Sequence, residues 1–408
     1  QVAAAAAFGG TQVAMIAVAV AALALLRASG ADALTGSAAG LPPAASRPIF
    51  NITASSLYDA GRQHGQHAAS RIRDWLQSEE LVDLVAYAQG RGQGAFEELK
   101  RTNAALYPQY VDELRGIAAG SGVDLDRVWV LNLITELEAL GRTSRSGHCS
   151  DIFAVSSGNF AHGHNEDWPG PVMSLAYFVK YTAAAGAGFN SCAGFVYPGT
   201  MLGWGPTWNS HGVYVTENSL FPVRSRAGGA AWAFAQREAI CGSAGGLGHE
   251  GVSEEITRHT WSSGASVNIV DIRRRHLINL EVNEDHYSIY QVSNGTARSN
   301  YSHVNMYKHL RPGWTDKPDT SSIDRQARID ALPAVRSHQD VIERLSDTGN
   351  PEDPIFRNDT LMTLVFDSAS GHMSEWCCGR SAANYPPSHV WDVLHFFDPA
   401  EGSAEILI

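Results

Sequence analysis

The pattern of the chain changes at Cys149, and this change most restricts the folds that the sequence can adopt. From about Ser55 to Leu140, apolar and alanine residues recur at helical spacing. After Cys149 come short runs rich in β-branched and aromatic residues, which clusters of Gly, Pro or Asn separate. Helical patterns return later, before the final strands. This order of elements predicts an α+β fold in which helices cover antiparallel sheets.

The charge of the chain argues against nucleic acid as a partner. The 408 residues carry a formal net charge of -12, whereas a phosphate-binding protein presents a basic face. Gly246–Gly251 matches a dinucleotide-binding pattern, but it follows a predicted helix instead of a strand, so no nucleotide site is predicted. The sequence predicts no cofactor and no metal, and the expected partner is a small molecule.

The first part of the chain is predicted to be a targeting segment. Val13–Leu26 is an unbroken apolar run of 14 residues, which suits the hydrophobic region of a signal peptide, and Val2–Phe8 would extend it towards a membrane anchor. Residues 1–27 are therefore interpreted as a signal peptide or membrane anchor, and residues 28–48, rich in Ala, Gly, Ser and Pro, as a linker. Membrane contact is expected only through this N-terminal segment.

Glycosylation sequons favour the secretory route. Four Asn-x-Ser/Thr triplets follow the linker, at Asn51, Asn294, Asn300 and Asn358. Such triplets carry meaning only in a chain that enters this route, and the apolar leader would direct it there. The sequence thus predicts a secreted protein, or a single-pass membrane-anchored protein whose catalytic domain is lumenal or extracellular.

The cysteines predict at least one free thiol. Five occur, at Cys149, Cys192, Cys241, Cys377 and Cys378. No Cys-x-x-Cys pair is present, so neither a zinc site of that type nor a thioredoxin-like motif is predicted. The adjacent Cys377 and Cys378 are not expected to bond each other, although either could pair elsewhere. Because the count is odd, one thiol stays free, and Cys149 is the candidate.

Cys149 is also the candidate nucleophile. It follows Gly147-His148 and precedes Asn165-Glu166-Asp167-Trp168 by a short distance. A cysteine that becomes the N-terminus of a chain gains an α-amine with a pKa of roughly 7.7–8.0. One residue then supplies both the nucleophile and the base, so no histidine is needed.

Three stretches of the chain form one pattern through their order and spacing. They are Glu113–Ala118, Gly147–Ser150 with Asn165–Trp168, and Gly212–Asn218 with Ala265–Asn268. Together they resemble the acyl-CoA:6-aminopenicillanic acid acyltransferase family, which is cysteine peptidase family C45. This family is a branch of the N-terminal-nucleophile hydrolases that includes an insect β-alanyl-dopamine hydrolase. The likeness extends over roughly residues 50–370, and His148 stands where the family usually has glycine.

The resemblance implies a four-layer αββα sandwich with antiparallel sheets. It also implies self-cleavage between His148 and Cys149. Cleavage would divide the folded part of the chain into a helical α-subunit region, residues 49–148, and a β subunit, residues 149–408. The two would form a heterodimer that arises from one processed chain.

The resemblance also implies roles for individual residues. Cys149 would attack the substrate carbonyl, and Asp167 would hold the α-amine and raise its pKa because a nearby carboxylate favours the ammonium form. The side-chain nitrogen of Asn268 would donate to the oxyanion. Asn218 and Arg325 are the implied substrate-binding residues.

The predicted function is that of a self-processing cysteine amidohydrolase or acyltransferase that acts through a Cys149 thioester. Its partner would be a small-molecule amide or thioester. Because acyl-CoA is scarce on the secretory route, hydrolysis of a small N-acyl amine or a β-alanyl conjugate is preferred over acyl-CoA chemistry.

Two alternatives stay open at the level of sequence. His162, His164 and Asp167 could ligate zinc in a metal-dependent hydrolase, since alternate residues of a strand share one face. The chain could also be a non-enzymatic secreted binding protein that has the same fold.

Overall fold

Two β-sheets form the centre of the fold. The structure is a computed structural model, and it describes residues 46–141, 149–156, 158–293, 299–310 and 320–398. The predicted leader, most of the predicted linker and His148 at the predicted cleavage bond lie outside the described residues.

The two sheets have eight and six strands. In spatial order the first sheet consists of β1 (Ile49–Ala54), β4 (Tyr177–Ala183), β5 (Cys192–Val196), β6 (Thr207–Asn209), β7 (Val213–Leu220), β8 (Gly264–Asp271), β9 (His276–Val282) and β10 (Tyr287–Ser293). The second consists of β11 (Ser299–His303), β2 (Ser150–Val155), β3 (Phe160–Asp167), β12 (Thr360–Asp367), β13 (His372–Cys377) and β14 (His389–Asp392). Neighbouring strands pair antiparallel, except that β1 runs parallel to β4.

Helices dominate the chain before Cys149, where the sequence predicts them. These are α1 (Leu57–Trp75), α2 (Glu79–Gln89), α3 (Gln93–Leu106), α4 (Pro108–Ser121), α5 (Leu125–Leu131) and α6 (Ile134–Gly141). The later helices are α7 (Val172–Leu175), α8 (Trp232–Cys241), α9 (His249–Thr257), α10 (Thr320–Ala331) and α11 (His338–Leu345), and a 3₁₀ helix spans Ser243–Leu247.

The helices lie on the outer faces of the sheets, while the inner faces meet. On the first sheet, His64 of α1 bonds the hydroxyls of Tyr177 and Tyr181 in β4, at 2.7 and 3.1 Å. On the second sheet, α11 packs on β3 at Gly163, where a Cβ would lie 2.4 Å from the side chain of Leu345. This arrangement confirms the predicted αββα sandwich with antiparallel sheets.

Glycines bring α1 and α4 into unusually close contact. Each helix has two glycines four residues apart, Gly61 and Gly65 in α1 and Gly116 and Gly120 in α4. A Cβ at Gly61 would lie 2.1 Å from the carbonyl oxygen of Glu113, and a Cβ at Gly116 would lie 2.2 Å from that of Tyr58. Since the atoms met are backbone, no side chain can move aside, and only glycine fits.

We expect Gly116→Ala to destabilise the protein, because the added methyl group forces the two helix backbones apart. The free energy of unfolding should fall by about 1–3 kcal/mol, the usual cost of overpacking. Gly94→Ala in α3 is the matched control, since a Cβ there meets no atom within 4 Å. Urea unfolding of both variants measures the difference, and equal midpoints would contradict the packing described here.

Two disulfides connect four of the five cysteines. Cys192 at the start of β5 bonds Cys241 at the end of α8, which fixes a helix to the first sheet. Cys377 and Cys378 bond each other, so the prediction that they would not is wrong. The left-handed backbone of Cys378, with φ at 64°, accompanies this pairing of neighbours and is not visible in the sequence. Cys149 is the free cysteine, as predicted.

The predicted glycosylation sites can be compared with the exposed surface of the protein. Three sequon asparagines, Asn51, Asn300 and Asn358, are exposed, and Asn294 lies outside the described residues. Glycosylation at these positions stays a prediction. In the part of the chain that the structure describes, every helix is too short or too polar to cross a membrane.

Candidate active site

Cys149 lies at the head of β2, between the two sheets. It is 4% exposed. Ser150 pairs with Asn165 and Asp151 with His164, so Cys149 stands next to Glu166 at the end of β3. Since side chains alternate along a strand, Cys149, Asp151, His162, His164 and Glu166 all face the inner space between the sheets.

Glu166 is the immediate polar neighbour of the thiol. Its Oε1 lies 3.6 Å from Cys149 Sγ and accepts a hydrogen bond of 2.6 Å from the Tyr197 hydroxyl. Its Oε2 lies 3.0 Å from Nε2 of His164. Both oxygens of Glu166 are therefore engaged, one with the nucleophile and the other with an imidazole.

The network continues from His164 to Asp151 and across to the first sheet. Asp151 Oδ1 lies 2.9 Å from Nδ1 of His164 and 2.8 Å from Nε2 of His162. The same oxygen accepts a hydrogen bond of 2.6 Å from the hydroxyl of Thr216 in β7. His162 Nδ1 in turn lies 2.8 Å from the hydroxyl of Tyr214. A chain of polar contacts thus joins the thiol in one sheet to two side chains of the other.

The charges along this network follow from burial and from the neighbours of each group. Burial alone would raise the pKa of the Asp151 carboxyl. The hydrogen bonds and charges of His164 and His162 outweigh burial and hold this pKa far below its usual range. Burial disfavours the imidazolium form of His164, yet Asp151, Cys149 and Glu166 raise the pKa of its ring well above the usual range. Asp151 is therefore ionised and His164 protonated at neutral pH.

The thiol itself is held in its protonated form. Burial raises the pKa of Cys149 well above its usual range, and the Glu166 carboxylate adds to this effect, while His164 opposes it. A thiol in this state is a weak nucleophile. The site therefore needs a base close to Sγ before Cys149 can attack a carbonyl.

Asp167 lies on the opposite face of β3, towards the outer helices. Its carboxylate is 1% exposed and lies 3.4 Å from Nε of Arg357. Burial raises its pKa to about 7, against the opposing influence of Arg357. Arg357 is its ion-pair partner, although neither oxygen accepts a hydrogen bond of standard geometry within the described residues. The carboxylate is near enough to Cys149 to contribute to the raised thiol pKa.

Arg325 holds the backbone of the nucleophile. Its Nη1 donates to the carbonyl oxygen of Cys149 at 2.7 Å and to Ser150 Oγ at 2.9 Å, and its Nη2 donates to Asn305 Oδ1 at 3.0 Å. The side chain is completely buried. Arg325 therefore positions the first residues of β2 from behind, whereas the sequence placed it among the substrate-binding residues.

The two predicted asparagines lie on the facing sheet and differ in their freedom. Asn268 Nδ2 donates to Thr216 Oγ1 at 3.2 Å, and its Oδ1 accepts from Asn279 at 3.0 Å. Asn218 is fully buried, and neither of its polar side-chain atoms has a hydrogen-bond partner in the described part of the chain. Asn218 is thus the side chain with unused hydrogen-bonding capacity.

The register of the two sheets places Asn218 level with the thiol. Tyr214 bonds His162, and two residues further along β7 Thr216 bonds Asp151, the strand partner of His164. The next residue on this face, Asn218, therefore stands opposite Glu166 and its neighbour Cys149. The resemblance implies Asn268 as the oxyanion donor, but the geometry places Asn218 nearer to this level.

The predicted zinc set does not assemble. His162 and His164 share the inner face of β3, but Asp167 is an odd number of residues away and points to the outer face, where it lies beside Arg357. The prediction of His162, His164 and Asp167 as joint ligands is therefore wrong. The set that could hold a metal ion is Cys149, His164 and Glu166, whose ligand atoms lie within 4.8 Å of one another.

The sequence alone does not single out Glu166, Asp151 or Tyr197 as site residues. Glu166 occupies the variable position of Asn-x-Asp-Trp, so the motif does not mark it. The two-residue period of a strand, counted forward from Cys149 and from His164, places Asp151 and Glu166 on the nucleophile's face. Tyr197 follows β5 in another sheet, and no local signal connects it to the site.

Comparison with known proteins identifies the family of the chain. The model of the family "Acyl-coenzyme A:6-aminopenicillanic acid acyl-transferase" matches residues 155–381. The chain belongs to this family. The matched segment contains Glu166, Asp167, Asn218 and Asn268, and it begins shortly after Cys149.

One relative with a named activity matches most of the chain. The chain is 25% identical over 334 residues to the beta-alanyl-dopamine/carcinine hydrolase of Drosophila melanogaster, and the match covers 75% of this chain and 84% of the relative. Family and relative confirm the predicted family and identify the chain as an enzyme, an amidohydrolase or acyltransferase. The non-enzymatic alternative is therefore set aside.

We expect Glu166→Gln to make the Cys149 thiol more reactive, because loss of the neighbouring negative charge lowers the thiol pKa. Each unit of that decrease raises the thiolate fraction about tenfold at a pH below the pKa. The rate of Cys149 alkylation by iodoacetamide at pH 8, followed by peptide mass spectrometry, measures the effect. Glu343→Gln, at an exposed position of α11, is the matched control. An unchanged rate in Glu166→Gln would contradict the contact.

Proposed function

We propose that the enzyme is a self-processing thiol amidohydrolase. It releases an amine from a small N-acyl amine or a β-alanyl conjugate through a Cys149 thioester. The observation that supports this function best is the free Cys149 thiol at the head of β2, in contact with Glu166. It is the only thiol of the chain that is not in a disulfide, and it stands level with the unpartnered side chain of Asn218.

Maturation would begin with attack of the Cys149 thiol on the carbonyl carbon of His148. The peptide nitrogen leaves as the α-amine of Cys149, and the chain is held for that moment as a thioester at Sγ. Water then hydrolyses this ester and leaves a carboxyl group on His148. Arg325 supports the reaction by donating to the carbonyl oxygen of Cys149, which fixes the residue on the other side of the bond that breaks.

The new α-amine supplies the base that the buried thiol lacks. It accepts the thiol proton as Sγ attacks the substrate carbonyl, and it becomes an ammonium group. Asp167 is the carboxylate in this mechanism that stabilises the ammonium, because it is buried and close to Cys149, and beside its ion pair with Arg357 it accepts no hydrogen bond of standard geometry within the described residues. The ammonium then returns the proton to the departing amine of the substrate.

The oxyanion of the tetrahedral intermediate would be bound from the facing sheet. Asn218 offers an amide Nδ2 with no other partner in the described chain. Asn268 is one strand away and is held by Thr216 and Asn279, so it would support the same site from the side. Loss of one oxyanion donor typically lowers the rate by about 10²–10³.

The second half of the reaction decides between hydrolysis and acyl transfer. Water attacks the thioester carbonyl with the α-amine as base, the acid leaves, and Cys149 regains its proton. An amine that arrived in place of water would give acyl transfer by the same steps. Hydrolysis is proposed because the relative from Drosophila melanogaster is named a beta-alanyl-dopamine/carcinine hydrolase.

The two subunits of the processed enzyme would stay together. The smaller one supplies β1 to the first sheet, where it pairs along its whole length with β4 of the larger one. His64 of the same subunit is buried against Tyr177 and Tyr181. The heterodimer is proposed to reach the secretory route, either secreted or attached through the N-terminal segment.

N-terminal sequencing together with the intact mass of the purified protein tests the processing step. We expect two fragments that elute together on size exclusion, the larger of which begins Cys149-Ser150-Asp151. Cys149→Ala should remain one chain, because it lacks the attacking thiol. A wild-type chain that stays uncut yet active, or a Cys149→Ala variant that is cut at the same bond, would contradict self-processing by Cys149.

Chelator sensitivity separates this function from a metal hydrolase, the competing one that Cys149, His164 and Glu166 would permit. We expect dialysis against EDTA to leave hydrolysis of β-alanyl-dopamine unchanged, because the proposed base is an amine. Added zinc should inhibit, since it would occupy the thiol. Loss of activity on chelation and its return with stoichiometric zinc would instead favour the metal hydrolase.

A further inference from the structure

Three side chains at the nucleophile carry the donor atoms of a zinc site. Within the described part of the chain, Cys149, His164 and Glu166 bring a sulfur, an imidazole nitrogen and a carboxylate oxygen within 4.8 Å of one another, and all three residues are buried. His164 and Glu166 follow each other on the inner face of β3, and Cys149 stands beside them at the head of β2. The proposed hydrolysis forms a bond to the thiol alone, so it leaves the joint placement of the three donors unexplained.

The spacing of these atoms suits a zinc ion. Sγ of Cys149 lies 3.6 Å from Oε1 of Glu166, and Oε2 of the same carboxyl group lies 3.0 Å from Nε2 of His164. Zinc binds thiolate at about 2.3 Å and nitrogen or oxygen at about 2.0–2.2 Å, so neighbouring ligand atoms of a tetrahedral site are roughly 3.3–3.8 Å apart. Small side-chain rotations would therefore place the three donors around one ion.

His164 has the orientation that is usual for a histidine that binds zinc. Its Nδ1 donates to Asp151 Oδ1 at 2.9 Å, and its Nε2 is directed towards Glu166. In zinc proteins a carboxylate behind the imidazole fixes the tautomer and the direction of the ring in this way. Asp151 is in turn held by the hydroxyl of Thr216 in the facing sheet, at 2.6 Å. The imidazole is thus already positioned for an ion at Nε2.

Glu166 is fixed by a partner of its own. The Tyr197 hydroxyl donates to its Oε1 at 2.6 Å. Trp204 and Trp168 pack on the ring of Tyr197, with centroids 4.6 and 5.4 Å away, and hold that hydroxyl in place. One oxygen of the carboxylate can therefore stay bound to Tyr197 while the other binds an ion. Ligands that are held in this way lose little side-chain freedom when the ion arrives.

An ion can enter this buried group without adding net charge to it. Carboxylates only accept hydrogen bonds, so both ring nitrogens of His164 carry a proton between Asp151 and Glu166. Zinc displaces the Nε2 proton and the proton of the Cys149 thiol, and both protons pass to the solvent. Two positive charges leave as two enter. The ion thus avoids the cost of an uncompensated charge in the interior.

We propose that Cys149, His164 and Glu166 together bind one zinc ion, which inhibits the enzyme reversibly. This inference rests on the proposed function, since the ion inhibits by occupying the thiol that would form the thioester. Sulfur and imidazole donors favour zinc over magnesium and calcium, which prefer oxygen ligands. The two additional ligands distinguish this site from the attraction of zinc to a single thiol.

The first test measures zinc inhibition of the processed enzyme with β-alanyl-dopamine, in a buffer that fixes the free zinc concentration. We expect Glu166→Gln to raise the half-inhibiting concentration at least about tenfold, the loss that is typical even for an outer partner of a metal ligand. Because this variant also makes the thiol more reactive, zinc held by the thiol alone would bind it at least as tightly as the wild type. Glu343→Gln, at an exposed position of α11, is the matched control. An unchanged or lower half-inhibiting concentration in Glu166→Gln would overturn the inference.

Cobalt binding provides a second measurement that is independent of turnover. Cobalt titrated into the purified protein should produce the near-ultraviolet absorption of a cobalt–thiolate bond and saturate at one ion per chain. Prior alkylation of Cys149 should abolish this absorption, and excess magnesium should leave it unchanged. Tyr197→Phe keeps all three ligands but frees the carboxylate of Glu166, so it should bind cobalt more weakly than the wild type. A wild-type protein that gives no such absorption would overturn the inference.

The outcomes separate this inference from the proposed function. If zinc at these ligands raises hydrolysis, both the inhibition and the thiol mechanism fail. If Cys149→Ala abolishes hydrolysis but neither zinc inhibits nor cobalt binds, the metal site fails while the thiol mechanism stands. If β-alanyl-dopamine is not hydrolysed but cobalt binds through Cys149 and Glu166, the proposed substrate fails while the metal site stands.

Discussion

The contact between Asp151 and its three donors is the interaction on which the site depends. One oxygen of this buried carboxylate binds His162, His164 and Thr216, at 2.8, 2.9 and 2.6 Å. A buried charge is costly unless such donors compensate it, so the two sheets are held where all three can reach. Thr216 belongs to the opposite sheet, and its bond fixes the register between the sheets. That register brings the side chains that follow in β7 level with the nucleophile.

The same network sets the resting state of the thiol. Glu166 and burial keep Cys149 protonated, while Asp151 keeps His164 charged. The nucleophile is therefore held inactive by the groups that also position it. In the proposed mechanism the missing base is the α-amine that self-cleavage creates, and Asp167, on the other face of β3 beside Arg357, stabilises its ammonium form. An enzyme built in this way would gain its full reactivity only after processing.

Much of the fold followed from sequence because its signals are local. The change from helical to strand patterns at Cys149 is a property of neighbouring residues, and the layered arrangement follows from burying one face of each sheet. The odd number of cysteines predicts a free thiol, and the start of a strand pattern at Cys149 with Asn165–Trp168 downstream indicates which cysteine it is. The pairing of Cys377 with Cys378 escaped because it depends on the left-handed backbone of Cys378, which the residue type does not announce.

The site was predicted less well, because its contacts join distant segments. Asp167 was placed with His162 and His164 by nearness in sequence, yet the strand period turns it to the other face. Glu166 was not predicted because it occupies the variable position of Asn-x-Asp-Trp, although it touches the thiol. Arg325 and Asn218 were named by resemblance alone. Only the structure shows that Arg325 holds the backbone of Cys149, whereas Asn218 faces the thiol from the other sheet.

The most direct test of the account is detection of the acyl-enzyme on Cys149. Processed enzyme would be mixed with β-alanyl-dopamine, quenched in acid within the first turnovers and digested at low pH, where a thioester survives. The account predicts that the peptide beginning at Cys149 gains the mass of one β-alanyl group, and that hydroxylamine removes it. Steady turnover without such an adduct on Cys149, or an adduct on another residue, would contradict the account.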